Sequence, residues 1–185
     1  MKLAAYNNAV WCDTVCRARG IDGEFLDDAW VSPQRTPMYY PDAVTLSPQA
    51  DVLDKIDRSP GASVKDSFAT LDLSGDGFSV LFDAQWIYHD AAAVTTDLPW
   101  QVIDPGEYPD DPFVRVLACG DSRAVINHSG DAIGVSNVEG SVWPWVPAAI
   151  SEIWPGLPVV GYEQDVTEPV RHGFQTVGPL RIWVS

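Results

Sequence analysis

The residue types that most often perform chemistry are few in this chain and lie far apart. His89, His128 and His172 fall at the end of a predicted strand, the edge of a predicted hairpin and the end of a predicted helix. Such positions are typical of exposed polar side chains rather than catalytic bases. Cys12 and Cys16 are spaced i, i+4, without a second Cys or His pair to complete a zinc site. The sequence therefore predicts buried core thiols and no metal centre.

Common nucleophile and phosphate motifs are also missing. The chain contains no Gly-x-Ser-x-Gly elbow, no Cys-x-x-Cys pair and no Walker loop. A tryptophan-rich patch, formed by Trp143, Trp145 and Trp154, is most simply interpreted as core. Candidate catalytic and binding residues must therefore be identified from the arrangement of the predicted helices and strands.

Composition indicates an ordered protein with an acidic surface. Of the 185 residues, 46% are apolar and 20% are charged, which is far from the composition of disordered chains. Eleven basic and 26 acidic residues give a formal net charge of -15, which repels nucleic-acid backbones and anionic lipid. No apolar run approaches the ~20 residues of a membrane span, and the sequence start lacks a signal-peptide core. We therefore expect a cytoplasmic protein that binds neither nucleic acid nor membrane.

Hydrophobic periodicity predicts the elements that would position a site. In the first part, we expect a helix over residues 3–19, a mostly extended loop over 27–48 with a short strand at 43–46, and a short helix over 49–58. Strong alternation predicts a strand over residues 78–88, paired in a hairpin with residues 67–73. In residues 113–185, we expect strands at 113–119, 123–128 and 132–138, followed by a helix at 146–154 and a strand at 157–162. A helix at 165–171 and closing strands at 174–184 complete the pattern.

This order of elements in residues 113–185 resembles the acyl-CoA-binding half of the GNAT acetyltransferase superfamily. Three segments carry the resemblance: Asp-Ala-Ile-Gly-Val at 131–135, Val-Val-Gly-Tyr-Glu at 159–163 and Gly-Phe-Gln-Thr-Val-Gly at 173–178. It implies an α+β fold with a mixed, mostly antiparallel twisted sheet flanked by helices. Residues 1–185 would form one domain, with an N-terminal half and helical extension in residues 1–112. The strands at 132–138 and 157–162 should be parallel neighbours that diverge at their ends.

The resemblance also implies where a cofactor would bind. In the family, the turn after the fourth strand carries Gln/Arg-x-x-Gly-x-Gly/Ala, and its backbone amides hold the diphosphate of CoA at a helix N-terminus. The corresponding stretch is Asn-Val-Glu-Gly-Ser-Val at 137–142, in which only the first glycine of the pattern is matched, by Gly140. The residues expected to bind acetyl-CoA or another acyl-CoA are Ser136, Asn137, Val138, Gly140, Ser141 and Val142.

Catalytic residues follow from the same resemblance. The family often uses a Tyr four residues before the Gly-Phe pair to protonate the CoA thiolate, but that position is Pro169 here. Tyr162 and Glu163, at the end of a strand that faces the acyl site in the resembling fold, are the alternative candidates for acid and base.

Two functions stay open on these residues. The first is an acyl-CoA-dependent N-acyltransferase that acts on a small-molecule or peptide amine. The second is a non-catalytic GNAT-like binding or interaction module that has lost CoA-dependent chemistry. Pro169, a carboxylate at Glu139 beside the expected diphosphate, and Pro144 and Pro147 at the start of the helix favour the second. The sequence leaves open whether the chain forms a homo-oligomer.

Overall fold

The computed structural model describes residues 1–90 and 94–185, and in these residues one mixed sheet contains eleven strands. Its strands are β1 (Glu24–Phe25), β2 (Ala29–Val31), β3 (Ala43–Thr45), β4 (Ser63–Asp66), β5 (Ser79–His89), β6 (Gln101–Ile103), β7 (Val114–Cys119), β8 (Ser122–Ser129), β9 (Ala132–Glu139), β10 (Val159–Glu163) and β11 (Gln175–Val184). Their spatial order is β1-β2-β3-β4-β11-β5-β10-β9-β8-β7-β6. The helices are α1 (Lys2–Arg17), α2 (Val146–Ile153) and α3 (Thr167–Arg171).

Most strand pairs are antiparallel, and the parallel ones in the described residues are β3–β4 and β9–β10. This mixed sheet with helices around it confirms the predicted fold class, including the N-terminal helix. None of the described helices is long and apolar enough to cross a membrane.

Helix α1 packs on one face of the sheet, against β8, β9 and β10. Its buried side includes the small residues Ala5, Ala9, Cys12 and Cys16, which let the helix approach the strands closely. Burial raises the pKa of Cys12 to about 11 and that of Cys16 to about 12, so both stay protonated and inert. The predicted core thiols are therefore confirmed, and the described residues contain no cluster of metal-ligating side chains.

Helix α2 packs on the opposite face. Successive strand residues point to opposite faces of a sheet, and Ile133 of β9 lies in the same cluster as Ile150 of α2, whereas Ala132 lies in the cluster next to α1. Trp143 and Trp145 are buried in the α2 cluster and Trp154 packs against it. The interpretation of the tryptophan patch as core is therefore confirmed.

The two parallel strands β9 and β10 are paired over a short distance. In the described chain, their ladder contains the pairs Val159 with Ile133 and Val160 with Gly134, after which both strands continue unpaired with each other. A register shift against β8 adds one residue to β9 near Asn137, whose φ is 48°; such a bulge bends the strand. The predicted parallel neighbours that diverge at their ends are confirmed.

The N-terminal half contains the prediction errors. No hairpin joins residues 67–73 to β5 in the described structure; β4 ends at Asp66, and β11 lies between β4 and β5 and pairs with both. The predicted helix at 49–58 contains a single 3₁₀ turn, Leu53–Lys55, although Ala50, Val52 and Ile56 of this stretch are buried. Strand β2 was missed within the predicted loop, since all three of its residues are buried and show no alternation.

Candidate functional site

A cavity opens where β9 and β10 diverge, and we call it the fork cavity. It has a volume of about 300 Å³. It is lined by Val135, Ser136, Asn137 and Val138 of β9, Tyr162 and Glu163 of β10, Asn8, Trp11 and Cys12 of α1, and Tyr39, Tyr40, Pro41 and Lys65. Two diverging parallel strands therefore create a concave site beside a helix, which is a common setting for small-molecule ligands.

A second cavity of about 430 Å³, the adjoining cavity, shares part of this wall. The shared residues are Tyr39, Tyr40, Pro41, Lys65 and Tyr162. Its remaining lining includes Leu81 and Phe82 of β5 and Ile182 and Val184 of β11. The site thus combines a more polar compartment at the strand fork with a more apolar compartment next to it.

The fork cavity brings together five of the eight residues predicted from the sequence. They are the proposed catalytic pair Tyr162 and Glu163, together with Ser136, Asn137 and Val138. Gly140 and Ser141 are exposed on the loop beyond β9, whereas Val142 is fully buried in the α2 cluster.

Glu163 is a partly buried carboxyl group in the fork cavity. Burial, with a smaller contribution from the negative charge of Asp165, raises its pKa from the ordinary 4.5 to about 7. Hydrogen bonds from Thr167 lower the pKa of Asp165, so this neighbour stays ionised. A carboxyl that titrates near neutral pH is suited to general acid-base work.

Tyr162 is held in place by contacts on its ring. Trp86 packs edge-on against it with ring centroids 5.6 Å apart, and the Nζ of Lys65 lies 4.2 Å from the ring centroid. The indole of Trp86 is itself fixed by donating a 2.8 Å hydrogen bond to the carbonyl of Ser67. The phenol therefore lies on a rigid element of the sheet.

The bulge in β9 brings Ser136 and Asn137 to the wall of the fork cavity. The Oγ of Ser136 is buried and has no hydrogen-bond partner within the described residues. Asn137, next in the chain, takes a left-handed conformation, and its side chain interacts with the hydroxyls of Tyr40 and Tyr108. Buried polar groups are normally satisfied, and Ser136 Oγ is one of three such buried atoms without a partner within the described residues, with Ser67 Oγ and Trp183 Nε1.

The loop after β9 differs from the sequence-based expectation in two ways. Glu139 forms a 2.6 Å ion pair with Arg123 on the adjacent strand β8, so its negative charge is compensated. The side chains of Val142 and Trp143 are buried, and Trp143 packs on Phe174 with centroids 5.1 Å apart. Neither side chain covers the exposed backbone of the loop.

Two residues of the predicted diphosphate loop are accessible to solvent. The exposed part consists of Gly140, with φ of 69°, and Ser141. The indole of Trp145 fixes the loop by donating a 3.1 Å hydrogen bond to the carbonyl of Ser141. Arg123, on the adjacent strand β8, is paired with Glu139, and the side chain of Val142 is fully buried.

Pro169, at the position of the family's acid, is buried in α3. It offers no hydroxyl, so any phenolic acid must come from elsewhere. Sequence reasoning missed Lys65 and Asn8, whose side chains meet within the site. The available signals were two consecutive asparagines near the apolar stripe of the first helix and a lysine next to Val64 in a short segment.

Comparison with solved structures agrees with this fold. The structure of a candidate acetyltransferase of the GNAT family from Novosphingobium aromaticivorans is similar over 98% of this chain and 98% of its own, with a TM-score of 0.58 and 10% identity. A functionally unknown conserved protein from Staphylococcus epidermidis is similar over 84% of this chain and 83% of its own, with a TM-score of 0.50 and 11% identity. No protein-family model and no curated protein sequence matches the chain. The chain therefore has a GNAT-like fold.

Proposed function

We propose that this protein is an N-acyltransferase that uses an acyl-CoA donor and a small-molecule or peptide amine as acceptor. The observation that carries the proposal is Glu163, a carboxyl with a pKa of about 7 at the fork of β9 and β10 in a GNAT-like fold. A general base works best when its pKa lies near the operating pH. The orphaned hydroxyl of Ser136 in the same cavity supports a ligand at this point.

In the proposed reaction, residues of the fork cavity act as base, as acid and as the binding surface for the acyl group. The carboxylate of Glu163 accepts a proton from the amine nitrogen, which must be uncharged to act as a nucleophile. Pro169 cannot donate a proton, and of the three phenols in the cavity wall, those of Tyr39, Tyr40 and Tyr162, only Tyr162 lies on the same strand as Glu163; its hydroxyl would serve as the proton donor. When bound, an acyl-CoA would supply the activated acyl group as a thioester. Its acyl end would lie along Ser136, Asn137 and Val138.

The diphosphate of the donor would lie at the exposed loop. Gly140 and Ser141 would supply backbone amides, with Arg123 as the nearby cation, and Val142 would anchor the loop from within the core. The net charge of -15 favours a cationic amine over an anionic acceptor. The free cysteines fit a reducing compartment, and we place the protein in the cytoplasm.

The first test measures donor binding and turnover separately. Acetyl-CoA is titrated while tryptophan fluorescence and thermal stability are followed, because Trp143 and Trp145 flank the loop at Gly140. Saturable binding should raise the unfolding free energy by roughly 2 to 3 kcal/mol at a hundredfold excess over Kd. Release of CoA thiol is then measured with a panel of amines.

The second test concerns the base. Glu163→Gln should lower kcat/KM by about 10² to 10⁴ and remove the rise of activity through pH 7, while the exposed Glu152→Gln serves as the matched control. Acetyl-CoA binding should be unchanged in both variants. Full activity of Glu163→Gln, or absence of acetyl-CoA binding by the wild type, would refute the proposal.

The second candidate is a non-catalytic GNAT-like module that binds a ligand in the fork cavity. Pro169 in place of the family's acid, and two prolines that remove amides from the start of α2, favour it. Binding of small amines without CoA release at any pH would support this candidate over the enzyme.

A further inference from the structure

Lys65 is a buried cation whose function the proposed chemistry does not use. Its side chain lies on β4 and only 4% of the residue is exposed. The Nζ donates a 2.7 Å hydrogen bond to the Oδ1 of Asn8 and lies over the ring of Tyr162. An ammonium group has three donors, and these neutral contacts leave its charge without an anionic partner.

No carboxylate of the described residues lies within 4.0 Å of this Nζ. Asp42, a buried carboxylate in the wall of the adjoining cavity, already has hydrogen-bond partners. It accepts hydrogen bonds from Arg35 at 2.6 Å, from the amide of Thr36 at 2.9 Å and from the amide of Ser63 at 2.8 Å. Buried charges are normally paired, so the position of Lys65 calls for an anion from outside the chain.

Lys65 and Tyr162 stand at the junction of the two cavities, since both residues line each of them. On one side, the fork cavity contains Glu163, the carboxyl group that titrates near neutral pH. On the other side, the adjoining cavity presents the apolar side chains of Phe82 and Ile182. A molecule that spans the junction would therefore meet a base, a cation and an apolar pocket in that order.

We propose that Lys65 binds the carboxylate of the acceptor, and that the acceptor is an amino acid with an apolar or aromatic side chain. This inference rests on the proposed function for the role of the amine. The amine lies towards Glu163, the carboxylate meets the ammonium of Lys65, and the side chain enters the adjoining cavity towards Phe82. The cavity volumes of about 300 and 430 Å³ lie at the lower end of the roughly 300–1,000 Å³ of small-molecule sites.

The overall charge of the protein agrees with this class of acceptor. A chain with a net charge of -15 repels a free anion at a distance, but an amino acid zwitterion is neutral and enters without that barrier. Once inside, the carboxylate forms a charge-assisted hydrogen bond with Lys65, which is stronger than a neutral one. The buried ammonium thus selects for a carboxylate at short range only.

Three ligands that share one aromatic group test the proposal without any variant. Phenylalanine has both charged groups, 3-phenylpropanoate lacks the amine and phenethylamine lacks the carboxylate. Calorimetric titration of the wild-type protein up to about 10 mM reveals even millimolar affinities. We expect phenylalanine and phenylpropanoate to bind, and phenethylamine to bind at least tenfold more weakly.

Lys65→Met keeps the length of the side chain and removes its charge, and the exposed Lys55→Met is the matched control. We expect Lys65→Met to lose at least tenfold in affinity for both carboxylates and to bind phenethylamine as the wild type does. The control should match the wild type for all three ligands. If Lys65→Met does not fold, Lys65→Gln and the comparison among ligands on the wild type take its place.

Equal binding of phenylalanine and phenethylamine by the wild type would overturn the carboxylate subsite, as would undiminished carboxylate binding by the variant or absence of all binding. Acetyl-CoA is titrated on the same samples. A carboxylate preference without acetyl-CoA binding would refute the acyltransferase and leave the subsite standing. Acetyl-CoA binding without a carboxylate preference would refute the subsite alone.

Discussion

Replacing Glu163 with glutamine should make the protein more stable, and the gain should depend on pH. The wild-type carboxyl group is protonated and neutral in the folded state below its pKa of about 7, whereas in the unfolded chain it ionises near 4.5. Between these values the folded state binds more protons than the unfolded state. Wild-type stability therefore falls as pH rises from about 4.5 through about 7, whereas glutamine carries no charge at any of these values.

The size of the effect follows from the pKa. Each pKa unit corresponds to about 1.4 kcal/mol, so the elevation to about 7 costs the wild type about 3 kcal/mol of folding free energy above pH 7. The stability of Glu163→Gln should thus exceed that of the wild type by less than about 1 kcal/mol at pH 5 and by about 3 kcal/mol at pH 8. For a chain of this size, each kcal/mol moves Tm by roughly 2–4 °C.

Urea and thermal unfolding of both proteins, measured from pH 5 to pH 8, give the difference in free energy at each pH. In the difference between the two unfolding free energies, the contributions of all titrating groups that the two proteins share cancel. The exposed Glu152→Gln is the control and should track the wild type throughout. A constant difference between Glu163→Gln and the wild type across this range would show that the carboxyl group at residue 163 does not titrate near 7, and the assignment of Glu163 as base would lose its physical basis.

Two further predictions concern other parts of the structure. Gly134→Ala should destabilise the protein by at least about 2 kcal/mol in urea unfolding, because a Cβ there would collide with the side-chain oxygens of Asn7 and Asn127 in a buried amide network; unchanged stability would contradict that packing. Glu139→Gln should release Arg123 from its ion pair and tighten acetyl-CoA binding several-fold at low salt, with a smaller gain at high salt. If the variant and the wild type bind acetyl-CoA equally at both salt concentrations, the result counts against a diphosphate at this loop.

The elements that the sequence predicts well are those defined by local patterns. Alternation and glycine turns predicted the strands and helices from residue 113 onwards close to their observed bounds, and with them the divergence of β9 and β10. The failed hairpin shows the limit of such reasoning. The turn at residues 74–77 has good local chemistry for a hairpin, but β5 pairs with β10 and β11, both far later in the chain.

The site shows the same limit. Tyr162 and Glu163 were predicted through their position at a strand end, but the raised pKa of Glu163 depends on burial that no local pattern encodes. Arg123 neutralises Glu139 across two strands, and Lys65 meets Asn8 from 57 residues away. Contacts of this kind depend on sheet register, because a one-residue shift turns every side chain of a strand to the opposite face of the sheet.

The position of β11 has a consequence for how the protein is made. This strand, Gln175–Val184, pairs with β4 on one side and β5 on the other, so among the described strands β1 to β4 join the rest of the sheet only through it. During synthesis, the edges of β4 and β5 that pair with β11 stay unpaired until residues 175–184 have left the ribosome. The centre of the sheet therefore cannot assemble before β11 is available, and the high sequence separation of these strand pairs predicts slow folding.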